Sequence, residues 1–264
     1  MVAGAWVPMN GTMAGERRRV LIALTSSMGP LGRRPTGAWL GEITGFWREM
    51  ADAGIDVEYA SPRGGDPPID PVSALAPSES KEDFIRSGER ERMATSARSV
   101  DVDPSRFDAI YFAGGHGTLW DFPSDPGLVL ATEAIWRDGG IVAAVCHGPA
   151  ALLSVKDPDG NSLIEGRRVT AFSNLEEQLL RMRGKVPFLL ENALKEQGAR
   201  FEKALLPFGK HVVVEGRLIT GQNPASARAV GRAVVEALGR APVRGAKPNG
   251  RAERRAQPSS IERR

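Results

Sequence analysis

Two kinds of hydrophobic pattern alternate along this chain. Arg19 to Leu24 (RVLIAL), Ile55 to Ala60, Phe107 to Phe112 (FDAIYF) and Ile141 to Val145 are short apolar runs with the β-branched and aromatic content of buried strands. Between them the period changes. Trp39, Leu40, Ile43, Phe46, Trp47 and Met50 recur at helical spacing within Gly37 to Ala53, with Gly54 as the stop, and Leu128 to Arg137 reads as another helix. Strand, helix, strand alternation predicts parallel strands joined by right-handed crossovers, hence a flavodoxin-like three-layer α/β sandwich with helices on both faces of a mostly parallel sheet.

The remaining pattern fills in the connections. Thr25 to Thr36 and Ser61 to Pro71 are Gly/Pro loops, and Glu79 to Arg98 is a charged helical insertion with little apolar face, expected to cover the surface. Lys156 to Asn161 is a turn, Arg168 to Phe172 a short strand, and Glu176 to Leu180 and Pro187 to Gln197 are helical. His211 to Val214 and Arg217 to Thr220 flank Glu215-Gly216 and predict a small β-hairpin. Pro224 to Leu238 closes the fold as a helix, capped by Asn223 and stopped by Gly239.

Composition changes the picture at the ends. The chain has 264 residues, is 41% hydrophobic and 25% charged, and so resembles an ordinary globular domain, placed at 19–239. A pI of about 9.2 invites a nucleic-acid reading, but the charge is unevenly spread. Arg240 to Arg264 carries a surplus of six positive charges and Glu16 to Arg19 a surplus of two, which leaves the middle near −5. Residues 1–18 are accordingly expected to be a flexible leader and 240–264 a solvated basic tail, with no specific nucleic-acid partner. No apolar run approaches the roughly 18 residues that span a bilayer, and no secretory signal is visible, so no membrane association is expected. A single cysteine excludes an internal disulfide and makes a reducing cytoplasm the default compartment.

That cysteine is the centre of the candidate chemistry. Cys146 falls between the Ile141 to Val145 strand and a helix beginning at Pro149, with Ala144 and Gly148 leaving room for a sharp turn. This is the steric logic of a nucleophile elbow with sulfur in place of oxygen. A helix start at the thiol predicts a lowered pKa and a reactive thiolate, suited equally to catalysis or to oxidation sensing. The histidines are His116, His147 and His211. His147 offers a base and a backbone N–H for an oxyanion, and Gly114, Gly115 and His116 offer further donors after the FDAIYF strand. Neither a CxxC nor an HExxH spacing is present, so no metal is assigned.

Asp108 to Phe122 (DAIYFAGGHGTLWDF), Gly140 to Pro149 (GIVAAVCHGP) and Leu218 to Ser226 (LITGQNPAS) resemble the PfpI-type, parkinsonism-associated deglycase-like superfamily with its class I glutamine-amidotransferase-like fold. Within it the chain is most similar to the heat-shock branch of cofactor-independent glyoxalases, glyoxalase III. The resemblance implies a glutamate from an early helix meeting the cysteine, which Thr36 to Glu42 (TGAWLGE) places at Glu42. It also implies an acidic residue orienting His147. The stretch Phe172 to Glu177 offers Glu176 and Glu177, with spacing from the phenylalanine favouring Glu177. The implied substrate is methylglyoxal or another small 2-oxoaldehyde, turned over without glutathione, and a homodimer is implied, with Trp39 and Trp47 candidates for its interface. A cysteine peptidase or amidase would need the same thiolate, and a stress chaperone or holdase is the non-enzymatic alternative. A glutaminase would need a late His-x-Glu pair, but His211 is followed by Val212 and Val213.

Overall fold

The computed structural model describes residues 17–29, 31 and 34–240; residues 1–16 of the leader and 241–264 of the tail lie outside the described residues. The strands are β1 (Arg19–Ala23), β2 (Asp56–Ser61), β3 (Ala97–Arg98), β4 (Ala109–Phe112), β5 (Ile141–Val145), β6 (Arg168–Val169), β7 (Arg200–Phe201), β8 (Val212–Glu215) and β9 (Leu218–Gly221). The α-helices are α1 (Leu40–Asp52), α2 (Pro71–Leu75), α3 (Glu79–Arg86), α4 (Glu89–Ala94), α5 (Thr118–Asp121), α6 (Pro126–Arg137), α7 (Asn174–Leu179), α8 (Leu190–Glu196) and α9 (Ala227–Arg240).

Seven strands form one sheet in the order β3-β2-β1-β4-β5-β9-β8, parallel except for the last pair. Every second residue of the central strands faces the same way, which divides the core in two. Leu21, Ala23, Ile110, Phe112, Val142 and Ala144 pack with Leu128 and Ile135 of α6 and Leu190 and Leu194 of α8. Val20, Ile22, Ala109, Tyr111, Ala143 and Val145 pack with Ile43, Phe46 and Met50 of α1 and Val230, Val234 and Leu238 of α9. This is the expected three-layer sandwich. Strand order reverses between β1 and β4, and the loops after β4 and β5 emerge at the carboxyl edge beside that point, where open α/β sheets place their sites.

Several expectations need correction. The expected hairpin is present as β8 and β9, and it belongs to the main sheet: β9 pairs in parallel with β5, and β8 forms the antiparallel edge. The separate small sheet is β6 with β7, two strands in parallel. The insertion at Glu79 to Arg98 is more than a surface cover, since Phe84 and Met93 are fully buried and it ends in edge strand β3. Asn223 does not cap α9. A short 3₁₀ turn, Pro224–Ser226, precedes that helix, which runs past Gly239 to Arg240. The leader boundary also shifts, because the Arg18 guanidinium donates to Asp108 at 2.8 Å and to the Leu238 carbonyl at 3.2 Å. Trp47 packs edge-on against Phe84 in the core, which removes it as an interface residue.

Candidate active site

β5 stops at Val145, and the next residue turns into the left-handed region: Cys146 has φ +58°. A side chain seldom sits there unless its surroundings fix it. Here two hydrogen bonds do so. The Cys146 N–H donates to the Gly221 carbonyl at the end of β9 (2.9 Å), and its carbonyl accepts from the Phe172 N–H (2.8 Å). The segment that follows, Gly148–Ser154, is a 3₁₀ helix rather than the expected α-helix. The thiol differs from expectation as well. Burial pushes it well above its ordinary value, the Glu42 carboxyl pushes it the same way, and the Gly115 N–H pulls it back only in part. The resting group is therefore a thiol, and its proton has to be taken by a base as it reacts.

Glu42 reaches the sulfur because the start of α1 is clamped to the loop after β4. The Trp39 N–H donates to the Gly114 carbonyl at 2.9 Å. Gly115, at φ +107°, lies so close that a Cβ there would come within 2.2 Å of the Gly37 carbonyl oxygen. A Cβ on Gly114 would meet Glu42 Oε2 at 2.7 Å and Cys146 Cβ at 2.8 Å, so glycine is what allows these three residues to converge. Glu42 is fully buried, accepts from the Gly114 N–H at 2.7 Å through Oε2, and has no conventional partner for Oε1. Burial raises its carboxyl to about 8, against the smaller lowering effects of the Cys146 side chain and the Gly114 N–H. At neutral pH it holds a proton.

The other side of the sulfur is built from three side chains. His147 Nδ1 lies 3.4 Å from Cys146 Sγ, and its Nε2 lies 2.6 Å from Glu177 Oε1. Glu177 is brought there by α7, whose first turn is closed by a capping box between Ser173 and Glu176. The two glutamates have separate duties. Glu176 accepts from Ser173 Oγ, the Phe208 N–H and Asn223 Nδ2, all at 2.8 to 2.9 Å, and so fastens three segments together. Glu177 points to the imidazoles. Burial alone would raise its carboxyl, but hydrogen bonds from His116 and His147 outweigh that and bring it down to about 2. For His147, burial and the neighbouring His116 lower the imidazole to about 4 despite Glu177. A neutral His147 donating Nε2–H to a carboxylate leaves the Nδ1 lone pair facing the thiol.

His116 was expected to serve through its backbone beside Gly114 and Gly115. Its side chain instead joins the carboxylate: Nε2 lies 3.0 Å from the same Glu177 Oε1, and its ring stacks at a tilt on that of His147, centroids 4.2 Å apart. Thr118 Oγ1 ties the two loops by donating to the Gly115 and His147 carbonyls, at 3.0 and 3.1 Å. The seven residues singled out from the sequence thus occupy one site; His211 stands apart at the start of β8. Together with Gly115, His116, Cys146 and His147, five further residues enclose a cavity of about 150 Å³: Trp39, Phe172, Leu180, Phe208 and Pro224. None of these walls was read as such from the sequence. Phe208, at φ +60°, follows no pattern that points to a site.

The match to the DJ-1/PfpI family model spans residues 37–237, from the clamp before α1 through most of α9. The chain belongs to the DJ-1/PfpI family. Over 142 residues, 52% of this chain and 64% of that protein, it is 40% identical to the probable glutathione-independent glyoxalase hsp3104 of Schizosaccharomyces pombe. It is 33% identical to the probable glutathione-independent glyoxalase hsp3103 of the same yeast over 86% of this chain and 100% of that protein. Among solved structures, glyoxalase III from Candida albicans superposes with a TM-score of 0.77 at 28% identity, covering 84% of this chain and 98% of that one. Among the described residues of this family member no helix is long and apolar enough to cross a membrane.

Proposed function

We propose that this chain is a glutathione-independent glyoxalase that converts methylglyoxal, or a 2-oxoaldehyde of similar size, to the 2-hydroxy acid. The carrying observation is the pairing around Cys146 of an imidazole free to accept the thiol proton with a buried carboxyl that keeps its own proton at neutral pH. The relatives named glyoxalases support the same reaction class.

In this reading His147 Nδ1 takes the Cys146 proton as the sulfur adds to the aldehyde carbon, giving a hemithioacetal. The new oxyanion is met by the backbone N–H groups near Gly115 and His147. His147 hands its proton to that oxygen and, neutral again, takes the C–H proton of the same carbon while Glu42 protonates the adjoining ketone oxygen, giving an enediol. His147 then delivers its proton to the former ketone carbon as the Glu42 carboxylate recovers one from the hydroxyl on the sulfur-bearing carbon, leaving a thioester, and water releases the acid and the thiol. No electrons leave the substrate: one carbon is oxidised as its neighbour is reduced, so the chemistry calls for no external hydride carrier and no second thiol.

The chamber at the sulfur, about 150 Å³ and walled by Trp39, Phe172, Leu180 and Phe208, is of a size for a few-atom aldehyde. A neighbouring cavity of about 460 Å³ shares Trp39, His116 and Leu180 with it, so the choice between aldehyde and peptide rests on the assay. The deciding assay is lactate formation from methylglyoxal without glutathione, alongside peptide and amide substrates. Turnover lost in Cys146→Ala supports the proposal; peptide cleavage without aldehyde turnover would replace it.

A further inference from the structure

The carboxylate behind His147 has a geometry that the reaction alone does not require. Two imidazoles converge on one oxygen, Glu177 Oε1, with His147 Nε2 at 2.6 Å and His116 Nε2 at 3.0 Å. The ligand-capable atoms of His116, His147 and Glu177 lie within 4.8 Å of one another, and all three residues are buried. The second carboxylate oxygen, Glu177 Oε2, is buried with no hydrogen-bond partner, although Glu177 is only 3% exposed. Both imidazoles also line the substrate cavity, so a small solute entering it meets them.

We infer that His116 Nε2, His147 Nε2 and Glu177 form a binding site for a divalent transition-metal ion of the zinc class, and that its occupation shuts the active site. Two imidazole nitrogens and a carboxylate are borderline ligands that suit zinc, which binds each at roughly 2.0–2.2 Å and takes its remaining position from solvent. Tetrahedral bonds of that length put ligand atoms roughly 3.3 Å apart, so Glu177 Oε1 has to draw back from His116 Nε2 by about 0.3 Å and from His147 Nε2 by about 0.7 Å. The unpartnered Oε2 gives the carboxylate a second atom to offer while it turns.

Coordination at Nε2 moves the ring proton of His147 to Nδ1, a change of tautomer. On His147 that places an N–H against Cys146 Sγ, 3.4 Å away, where the mechanism needs a lone pair. A bound ion therefore disarms the base without touching the sulfur. The binding claim is independent of the reaction; only the inhibitory consequence rests on the glyoxalase reading.

The test is titration of the full chain with Co²⁺, a spectroscopic stand-in for zinc, in the absence of substrate. The expected result is one equivalent bound with visible ligand-field bands, displaced by Zn²⁺ and retained in Cys146→Ala. His116→Gln and Glu177→Gln should each weaken binding at least 10-fold, with circular dichroism verifying that each variant is folded. No bands in the wild type would overturn the site. So would equal affinity in either ligand variant, or loss of the bands in Cys146→Ala, which would assign the ion to the thiol. Zn²⁺ inhibition of turnover reversed by a chelator would establish the consequence. Full activity with the site saturated would refute it while leaving both the site and the glyoxalase reading in place.

Discussion

The two sides of the Cys146 sulfur carry a glutamate each, and both carboxyls are almost wholly removed from water, Glu42 at 0% and Glu177 at 3% exposure. Burial is the largest influence on each and pushes both upward. They nevertheless end far apart, Glu42 at about 8 and Glu177 at about 2. Partners make the difference. Glu42 receives one backbone N–H and the side chain of a thiol, too little to stabilise a charge, whereas Glu177 receives two imidazole N–H groups on a single oxygen. One side of the sulfur is thus a stored proton and the other a fixed negative charge. A fold that buries two identical side chains can set opposite chemistry by what it points at them.

Removing the atom that both sides address is the most drastic break. Cys146→Ala should lower methylglyoxal turnover by about 10⁵-fold, to the level of residual binding and proton transfer, because no covalent intermediate can form. Its far-ultraviolet spectrum should match the wild type, since the φ of residue 146 is held by backbone bonds to Gly221 and Phe172 that alanine keeps. Turnover within 10-fold of wild type, read as lactate released, would show that the sulfur is a bystander.

Glu177→Gln strikes the charged side. An amide in place of the carboxylate carries no negative charge and can turn its NH2 toward His147 Nε2, so the tautomer with Nδ1 free is no longer enforced. A loss of about 10³-fold in kcat is expected, with KM little changed, by the reasoning that applies to any histidine whose orienting acid is neutralised. Steady-state kinetics decide this: a change confined to KM would make Glu177 a packing residue.

Much of this comparison was visible in the chain before its fold, and part of it was not. The apolar runs that became β1, β4 and β5 are unmistakable because strands buried on both sides have no polar alternation to confuse them. Cys146 was legible as a corner from Ala144, Gly148 and Pro149. Glu42 was placed only by resemblance, because nothing in its helical periodicity distinguishes a buried acid from a surface one. The role of His116 was not legible at all. Its partner is 61 residues away along the chain and reaches it through the capping box of α7, a tertiary arrangement without a local pattern. The thiol was misjudged for a similar reason: helix position suggested a lowered value, and burial beside Glu42 overrode it. Phe84 and Met93 were hidden within a charged stretch because one or two buried side chains on a short helix leave no measurable period.

On the neutral side, Glu42→Gln keeps an acceptor for the Gly114 N–H and removes only the transferable proton. A drop of about 10²-fold is expected, the lower end for a general acid. The wild-type rate should also fall as pH rises through about 8, where Glu42 ionises, and the variant's residual rate should lack that alkaline limb. A pH–rate profile for both proteins provides the check, and an identical alkaline limb in the two would assign that limb to another group.

The smallest effect is on stability, and it isolates Glu42 most cleanly. Its carboxyl goes from an ordinary 4.5 to about 8, so between those values the folded chain holds a proton that the unfolded chain has lost. Stability from this group is complete below 4.5 and declines as pH rises through 8, by at most about 1.4 kcal/mol per pH unit. His147, lowered from 6.5 to about 4, acts in the opposite sense: its contribution is complete above 6.5 and is lost as pH falls through 4. Glu177, lowered to about 2, contributes fully above 4.5 and loses that contribution only below it. The slopes of Glu42 and His147 oppose one another from about 4.5 to 6.5, and Glu42 alone remains between 6.5 and 8. Urea midpoints measured across that upper window should fall for the wild type and stay level for Glu42→Gln, and parallel declines would mean that residue 42 is not where the proton is kept.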